Sequence, residues 1–449
     1  MFKSIFQKER KTDLTELCFT LLIFLVALFL LIAPARFYDK YSLIPVESKI
    51  AIGYLSVIDF VCLGEILLLV IYFLIYKDRK ALCLTVNKEI IPFAFIYLVC
   101  SIGLVATSHY EYVFEVVSKF LTLTCGLTLS AFVLNYKKEK FFEAFVIIFL
   151  LIICVAPIFL KNYKGYGDLH RAGSLGFFVN ETGYFCCALT AIALFAMRKK
   201  ILLRLILLAF SLYGSYICGS RRSILIAIML VFVFVIYSYA RLIVKNKSDK
   251  KTVLMLSIIG LAVAVIVALL ISYNAQDIIN KTVSLKRFIE EFEKSGSFLG
   301  ADRVKVYETA LTRILGNLWL GNFGSTTLGS MTNFSDINHT HNLILQFFGD
   351  YGLIFGAFFT LLFIIAFCCS LGNIFTKGST TSKLVAYIFA MYFFYDMLGY
   401  GLWNPKMQIL IYMCGAINIY YFYANNKIHN TIKEGDYQYV KINQKILIN

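Results

Sequence analysis

The 449-residue chain is 59% hydrophobic and only 16% charged, with a mean hydropathy of +0.75. Soluble domains run near 45–50% apolar and about 25% charged, which excludes a cytosolic enzyme, and a small disulfide-stapled secreted scaffold is excluded by size. The 43 Lys and Arg against 27 Asp and Glu leave a net charge of +16. These cations come in short packets between apolar runs rather than in one hydrophilic domain, so nucleic acid is not an expected partner.

A helix needs about 20 apolar residues to cross the hydrocarbon core, and twelve candidate segments are present. The first nine run from Leu17 to Ala33, Ile50 to Tyr76, Ile90 to Thr107, Tyr112 to Asn135, Phe141 to Leu160, Phe178 to Met197, Ile201 to Cys218, Ile224 to Ala240 and Val253 to Ser272. The last three run from Asn342 to Phe367, Leu384 to Tyr400 and Met407 to Ala424. Lipid leaves backbone polar groups no water to bond, so the expected fold is an all-α polytopic membrane protein of about twelve transmembrane helices. The expected organisation is spans 1–9 over residues 1–272, a large extracytoplasmic loop over 273–341, spans 10–12 over 342–424 and a loose cytoplasmic tail over 425–449. The first segment, flanked by Pro34, Ala35 and Arg36, reads as a membrane helix rather than a signal peptide.

Orientation follows from the basic packets, because Lys and Arg in short loops stay on the cytoplasmic side. With the N-terminus inside, packets such as Lys77, Arg79 and Lys80, Lys137 and Lys138, and Arg198, Lys199 and Lys200 all fall inside, and so does the C-terminus. The twelve cysteines form no metal-ligand spacing and read as small apolar residues of the spans.

Basic residues on the outer face break this rule and carry the information. The loop Lys161 to Glu181 contains His170 and Arg171, and a tight turn between spans 7 and 8 reads Gly219-Ser220-Arg221-Arg222-Ser223. In the long loop, Val304, Tyr307, Ala310, Leu311, Ile314, Leu315 and Leu318 recur at helical spacing, which predicts an amphipathic helix with Arg303 inside its apolar arc. A guanidinium there either snorkels to lipid headgroups or holds an anionic ligand inside the bundle.

The loop closes on Asn338-His339-Thr340-His341-Asn342. A stripe of His341, Leu345, Phe348 and Gly352 points His341 into the bundle mouth, with Gly349, Gly352 and Gly356 as a small-residue face for a neighbouring helix. In the first turn of a span, His341 stays neutral and able to accept a proton, and the free amides there favour a phosphate. The alternative is a histidine that caps a helix or bonds a loop carbonyl. His339 can fill either role. A neutral base beside several arginines suits transfer from a diphosphate-linked donor, the base taking a proton from the attacking hydroxyl and the guanidinium forks neutralising the leaving diphosphate. Arginine would then supply the positive charge without a metal or other cofactor, and the first outer loop, Pro34 to Lys49, offers only the separated acids Asp39 and Glu47.

The stretch HTHNLILQFFGDYGLIFG, His339 to Gly356, resembles the HN-x9-G segment of the O-antigen ligase and O-antigen or capsular polysaccharide polymerase superfamily. GSRRS, Gly219 to Ser223, is similar to that family's SR turn. Asp302 to Gly324 resembles its Arg-helix followed by a Gly-rich bend, and His170 to Gly183 its R-x-x-G loop with a downstream Asn. The final glycines depart from the family's GxxG, with Phe355 between Gly352 and Gly356, and Arg222 stands where a small residue is common.

The resemblance implies a GT-C-like, metal-independent glycosyltransferase at the outer face of a bacterial cytoplasmic membrane, acting on undecaprenyl-diphosphate-linked glycan donor and acceptor. It implies His341 as base and Arg221 and Arg303 as diphosphate contacts, with Arg222, Arg171 and His339 as further substrate-binding candidates. A chain-length regulator and a flippase of the same pathway are the implied protein partners. Polymerisation of repeat units is the favoured reaction, and a ligase passing finished glycan to an acceptor is the alternative. A transporter or lipid-linked sugar flippase also fits twelve spans and would place ionisable groups near the midplane. The candidates there are Asp59, Glu65, Glu115 with Lys119, and Asp396.

Overall fold

The computed structural model describes residues 139–159, 179–197, 201–245, 301–321, 342–376, 378–397 and 405–433, with isolated positions between 63 and 99 and between 251 and 293. Among the described residues the regular elements are helices, with no strand. They are α1 (Glu139–Phe159), α2 (Val179–Ala191), α3 (Ile201–Cys218), α4 (Arg221–Lys245), α5 (Ala301–Gly316), α6 (Leu343–Phe375), α7 (Thr380–Met397) and α8 (Pro405–Lys433). Helix α2 runs on into a π-helical turn, Ile192–Ala196, closed by the Met197 amide donating to the Ile192 carbonyl at 3.1 Å.

Three described helices are long and apolar enough to cross a membrane: Ile201–Cys218, Arg222–Val244 and Leu343–Phe375. Their burial pattern explains what solvent they are built for. Helix α3 buries Ser211, Gly214, Ser215 and Cys218 while Leu202, Leu205, Tyr213 and Tyr216 stand exposed. A water-soluble helix does the reverse; large apolar side chains outside and small or polar ones inside suit lipid, where close backbone packing and interhelical hydrogen bonds hold helices together. The protein is therefore a membrane protein. The full count of about twelve spans extends over segments that lie outside the described residues.

The chain divides into two compact units, Leu150–Lys305 and the remainder, Met1–Phe149 with Val306–Asn449. In the first, α2, α3 and α4 pack on one another. A Cβ on Gly214 would stand 2.9 Å from Cys186 Sγ and 3.0 Å from the Cys154 carbonyl, so only glycine lets α3 come this close. Thr190 Oγ1 donates to Ser211 Oγ at 2.9 Å, and the Arg204 guanidinium sits 4.4 Å from the centre of the Phe234 ring, tying α3 to its neighbours.

In the second unit, α6, α7 and α8 pack together around Phe363, whose ring meets Phe93, Phe347, Phe389, Tyr392 and Tyr412 at centroid distances of 5.2–6.5 Å. A polar seam crosses this apolar core. Asn418 Nδ2 donates to the Ala366 carbonyl at 2.8 Å and to Ser370 Oγ at 2.5 Å, while Asn373 Nδ2 donates to Asn418 Oδ1 at 2.7 Å and to the Asn418 carbonyl at 2.8 Å. Helix α8 continues through Lys433, so the first turns of the expected loose tail are helical.

Candidate functional site

The arginine turn is built from backbone requirements. Helix α3 ends at Cys218, and Gly219 reverses the chain at φ 62°, its amide donating to the Tyr216 carbonyl at 3.2 Å. That left-handed conformation is cheap only for glycine. Ser220 then opens α4, its carbonyl accepting from the Ile224 amide at 3.2 Å and from Ser223 Oγ at 2.8 Å. Arg221 and Arg222 are thus the first two residues of α4, and no acid stands in that turn.

Two arginines in the first turn of a helix set formal positive charge at the positive end of its dipole instead of opposing it. Each such cation costs about 0.3–1 kcal/mol, a cost that an anion bound there reverses. The turn is also pinned to α2: Ser220 Oγ donates to Asn180 Oδ1 at 3.3 Å, and Cys187 Sγ to the Ser223 carbonyl at 3.3 Å. Ser220 and Ser223 are buried and Arg222 is half-buried. The structure thereby joins two of the sequence motifs, the SR turn and the Asn that follows the Arg171 loop. Arg171 itself lies outside the described residues, as does the side chain of Arg221.

Helix α5 carries Arg303 in its first turn, three and seven residues ahead of the buried Val306 and Ala310, at a register position on their face. Its side chain also lies outside the described part. The apolar arc read from the sequence does not face protein as one surface: Ala310 is buried, together with Val306 from outside the arc, while Leu311, Leu315 and Leu318 are exposed.

The turn after α5, residues 317–321, docks against α6 in a way that apolar periodicity did not signal. Gly352 interrupts α6 with φ 64° and ψ −166°, a backbone region that is essentially glycine-only. Breaking the helix frees the amides of Leu353 and Ile354, which donate to the carbonyls of Leu318 at 2.7 Å and Trp319 at 3.3 Å. Gly321, at φ 65°, faces Gly352 across this contact; a Cβ on it would stand 2.7 Å from the Tyr351 amide nitrogen. Gly356 has a third role, because a Cβ there would stand 2.7 Å from the Phe347 carbonyl, which belongs to the part of α6 before the break. The glycines expected to receive a neighbouring helix therefore serve the break itself and the docked turn, and Gly349 meets nothing within 4 Å. Beside the break, Gln346 Nε2 donates to Asp350 Oδ2 at 2.7 Å, both residues buried.

At the amino end of α6 the cap is Asn342, whose Oδ1 accepts from the amides of Ile344 at 3.0 Å and Leu345 at 3.1 Å, while its Nδ2 donates to the Met397 carbonyl at 3.3 Å. The helix thus begins at Leu343, two residues beyond His341, and two amides expected to be free for a phosphate are taken by the cap. The stripe from His341 to Gly352 also ends at the break. His341 and His339 lie outside the described residues. Among the mid-span acids, Asp396 is buried with Tyr392 Oη donating to its Oδ2 at 2.6 Å; Asp59, Glu65, Glu115 and Lys119 lie outside the described residues.

The docked turn has one sequence signal, paired glycines in a bend and in a predicted helix. The polar seam has another, asparagines at Asn373 and Asn418 in or beside apolar runs.

Residues 205–360 match the family model described as O-antigen ligase. The segment holds most of α3, all of α4 and α5 and the amino-terminal part of α6, and with them Arg221, Arg222, Arg303, His339 and His341. No curated protein gives a significant match to the chain.

Proposed function

With an O-antigen ligase domain as premise, we propose that the protein is a membrane glycosyltransferase that polymerises undecaprenyl-diphosphate-linked repeat units into surface polysaccharide. The acceptor hydroxyl attacks the anomeric carbon of the donor sugar and passes its proton to His341. The bond from that carbon to the phosphate oxygen breaks, and undecaprenyl diphosphate leaves with the electron pair. Arg221 or Arg222, and Arg303, neutralise the departing diphosphate, with Arg171 and His339 as further contacts to the substrate. Arginine supplies the charge that a metal ion would otherwise provide. Transfer takes place at the outer face of the bacterial cytoplasmic membrane, with both termini inside, and a chain-length regulator and a flippase act beside it.

The observation that carries this reading is the arginine pair in the first turn of α4, within the matched segment, at the positive end of the helix dipole and with no acid in the same turn. A second reading, a ligase that hands finished glycan to an acceptor, is favoured by the description of the matching family.

The glycan profile of a deletion strain separates these readings. Accumulated lipid-linked single repeats mean a polymerase, and full-length polymer missing from its acceptor means a ligase. Glycan trapped on the cytoplasmic side refutes both and points to a flippase.

A further inference from the structure

Helix α5 has three faces, which is one more than a helix lying on a protein surface in water requires. Val306 and Ala310 are buried in protein, and Glu308 and Thr312 form an exposed polar edge. Between these lies a third face of large apolar side chains at helical spacing, Leu311 (51% exposed) and Leu315 (73% exposed), continued by Trp319 (63% exposed) in the docked turn. A helix that meets protein, water and hydrocarbon on three sides has the geometry of an interfacial helix.

What covers the third face follows from where the turn is docked. Leu318 and Trp319 accept hydrogen bonds from Leu353 and Ile354, the first residues of α6 beyond its break. From Leu353 to Phe375 the helix is about 34 Å long at 1.5 Å per residue, enough to cross a core of about 30 Å. Ile354, Phe358, Leu361 and Ile365 form its exposed apolar stripe, at spacings that keep them on one side. The docked turn, and Trp319 with it, thus sits at the end of the segment able to span the membrane, bonded to Ile354 of its exposed apolar stripe. An indole is the side chain best suited to that level, with an apolar body and a polar tip.

We propose that the apolar face of α5 and the turn after it are seated in the bilayer, with Trp319 at the boundary between headgroups and acyl chains. This part of the long loop, expected to form an amphipathic helix, is then embedded in the membrane surface.

The chain has two tryptophans, Trp319 and Trp403, so Trp403→Phe leaves Trp319 as the sole indole reporter. In phosphatidylcholine vesicles brominated either next to the headgroups or near the chain ends, most of the Trp319 emission is lost with the shallow label and less with the deep one, and aqueous iodide quenches little. Strong iodide quenching without bromolipid quenching would overturn the proposal, as would emission that neither quencher touches. Quenching that appears only after a polyprenyl-diphosphate glycan is added would assign the face to substrate and overturn it as well. Should Trp403→Phe not fold, the difference between the unsubstituted protein and Trp319→Phe gives the same reading. The measurement needs no turnover, so it stands or fails independently of the glycosyltransferase proposal.

Discussion

Substituting Gly352 with alanine separates the docked turn from every other use of glycine in α6. The observed φ of 64° with ψ −166° costs a non-glycine residue roughly 1–3 kcal/mol. An added Cβ would also overlap the backbone of Gly321, Trp319 and Leu320, so relief requires moving the turn away from α6. That movement breaks the bonds from Leu353 to Leu318 and from Ile354 to Trp319, worth about 1 kcal/mol each. The backbone strain alone shifts the equilibrium between docked and detached turn by about 1–3 kcal/mol, or roughly one to two decades at about 1.4 kcal/mol per decade, and the overlap adds to it.

Gly349→Ala is the control, because a Cβ there meets nothing within 4 Å and alanine favours an ordinary helical site by about 0.5–1 kcal/mol. The two substitutions therefore have opposite signs three residues apart. Hydrogen exchange on the detergent-solubilised protein reads this directly: the Leu353 and Ile354 amides lose protection in Gly352→Ala and keep it in Gly349→Ala, with thermal midpoints shifting down and up. Equal protection of those amides in both variants would refute the assignment of the turn contact to Gly352.

Further outcomes follow from single hydrogen-bond groups. Asn342→Ala removes the cap of α6 and should cost about 1 kcal/mol, with faster exchange at the Ile344 and Leu345 amides; Asn342→Asp retains the capping oxygen and should keep those amides protected. Asn418→Leu empties the polar seam between α6 and α8 and leaves the buried Asn373 amide without the Asn418 side-chain acceptor. A loss of about 1–3 kcal/mol is expected, measured by thermal unfolding in detergent. A double cycle with Asn373→Leu should recover part of the loss, because the Asn373 amide is then no longer left without its Asn418 acceptor.

The limits of hydropathy as a guide show at particular residues. Helix α3 runs from Ile201 to Cys218, the same limits the apolar run has, because Gly219 stops both the hydropathy and the helix. Helix α4 begins three residues before its apolar run does. Its start is set by Ser220 accepting the first backbone bond, so two arginines with no apolar character enter the helix. The break at Gly352 is marked in the sequence only by its glycines, which read equally well as a face for a neighbouring helix. Its cause is distant in sequence, the carbonyls of Leu318 and Trp319, and only tertiary contact makes an interrupted helix the better choice there.

The helical spacing around Arg303 predicts a single apolar arc, but periodicity ranks residues only as apolar or polar. It could not separate the buried Ala310 from the exposed Leu311 and Leu315, and it left the buried Val306 outside the arc. Single asparagines such as Asn418 disappear in a hydropathy average, although in lipid they are what one helix uses to hold another.

Reconstitution with purified lipid-linked repeat unit tests the central claim most directly. Proteoliposomes containing the unsubstituted chain should elongate the glycan in the presence of a chelator. His341→Ala should abolish elongation, while Arg221→Ala and Arg222→Ala show which guanidinium the diphosphate needs. Elongation that persists in His341→Ala, or that requires an added divalent ion, would contradict the account.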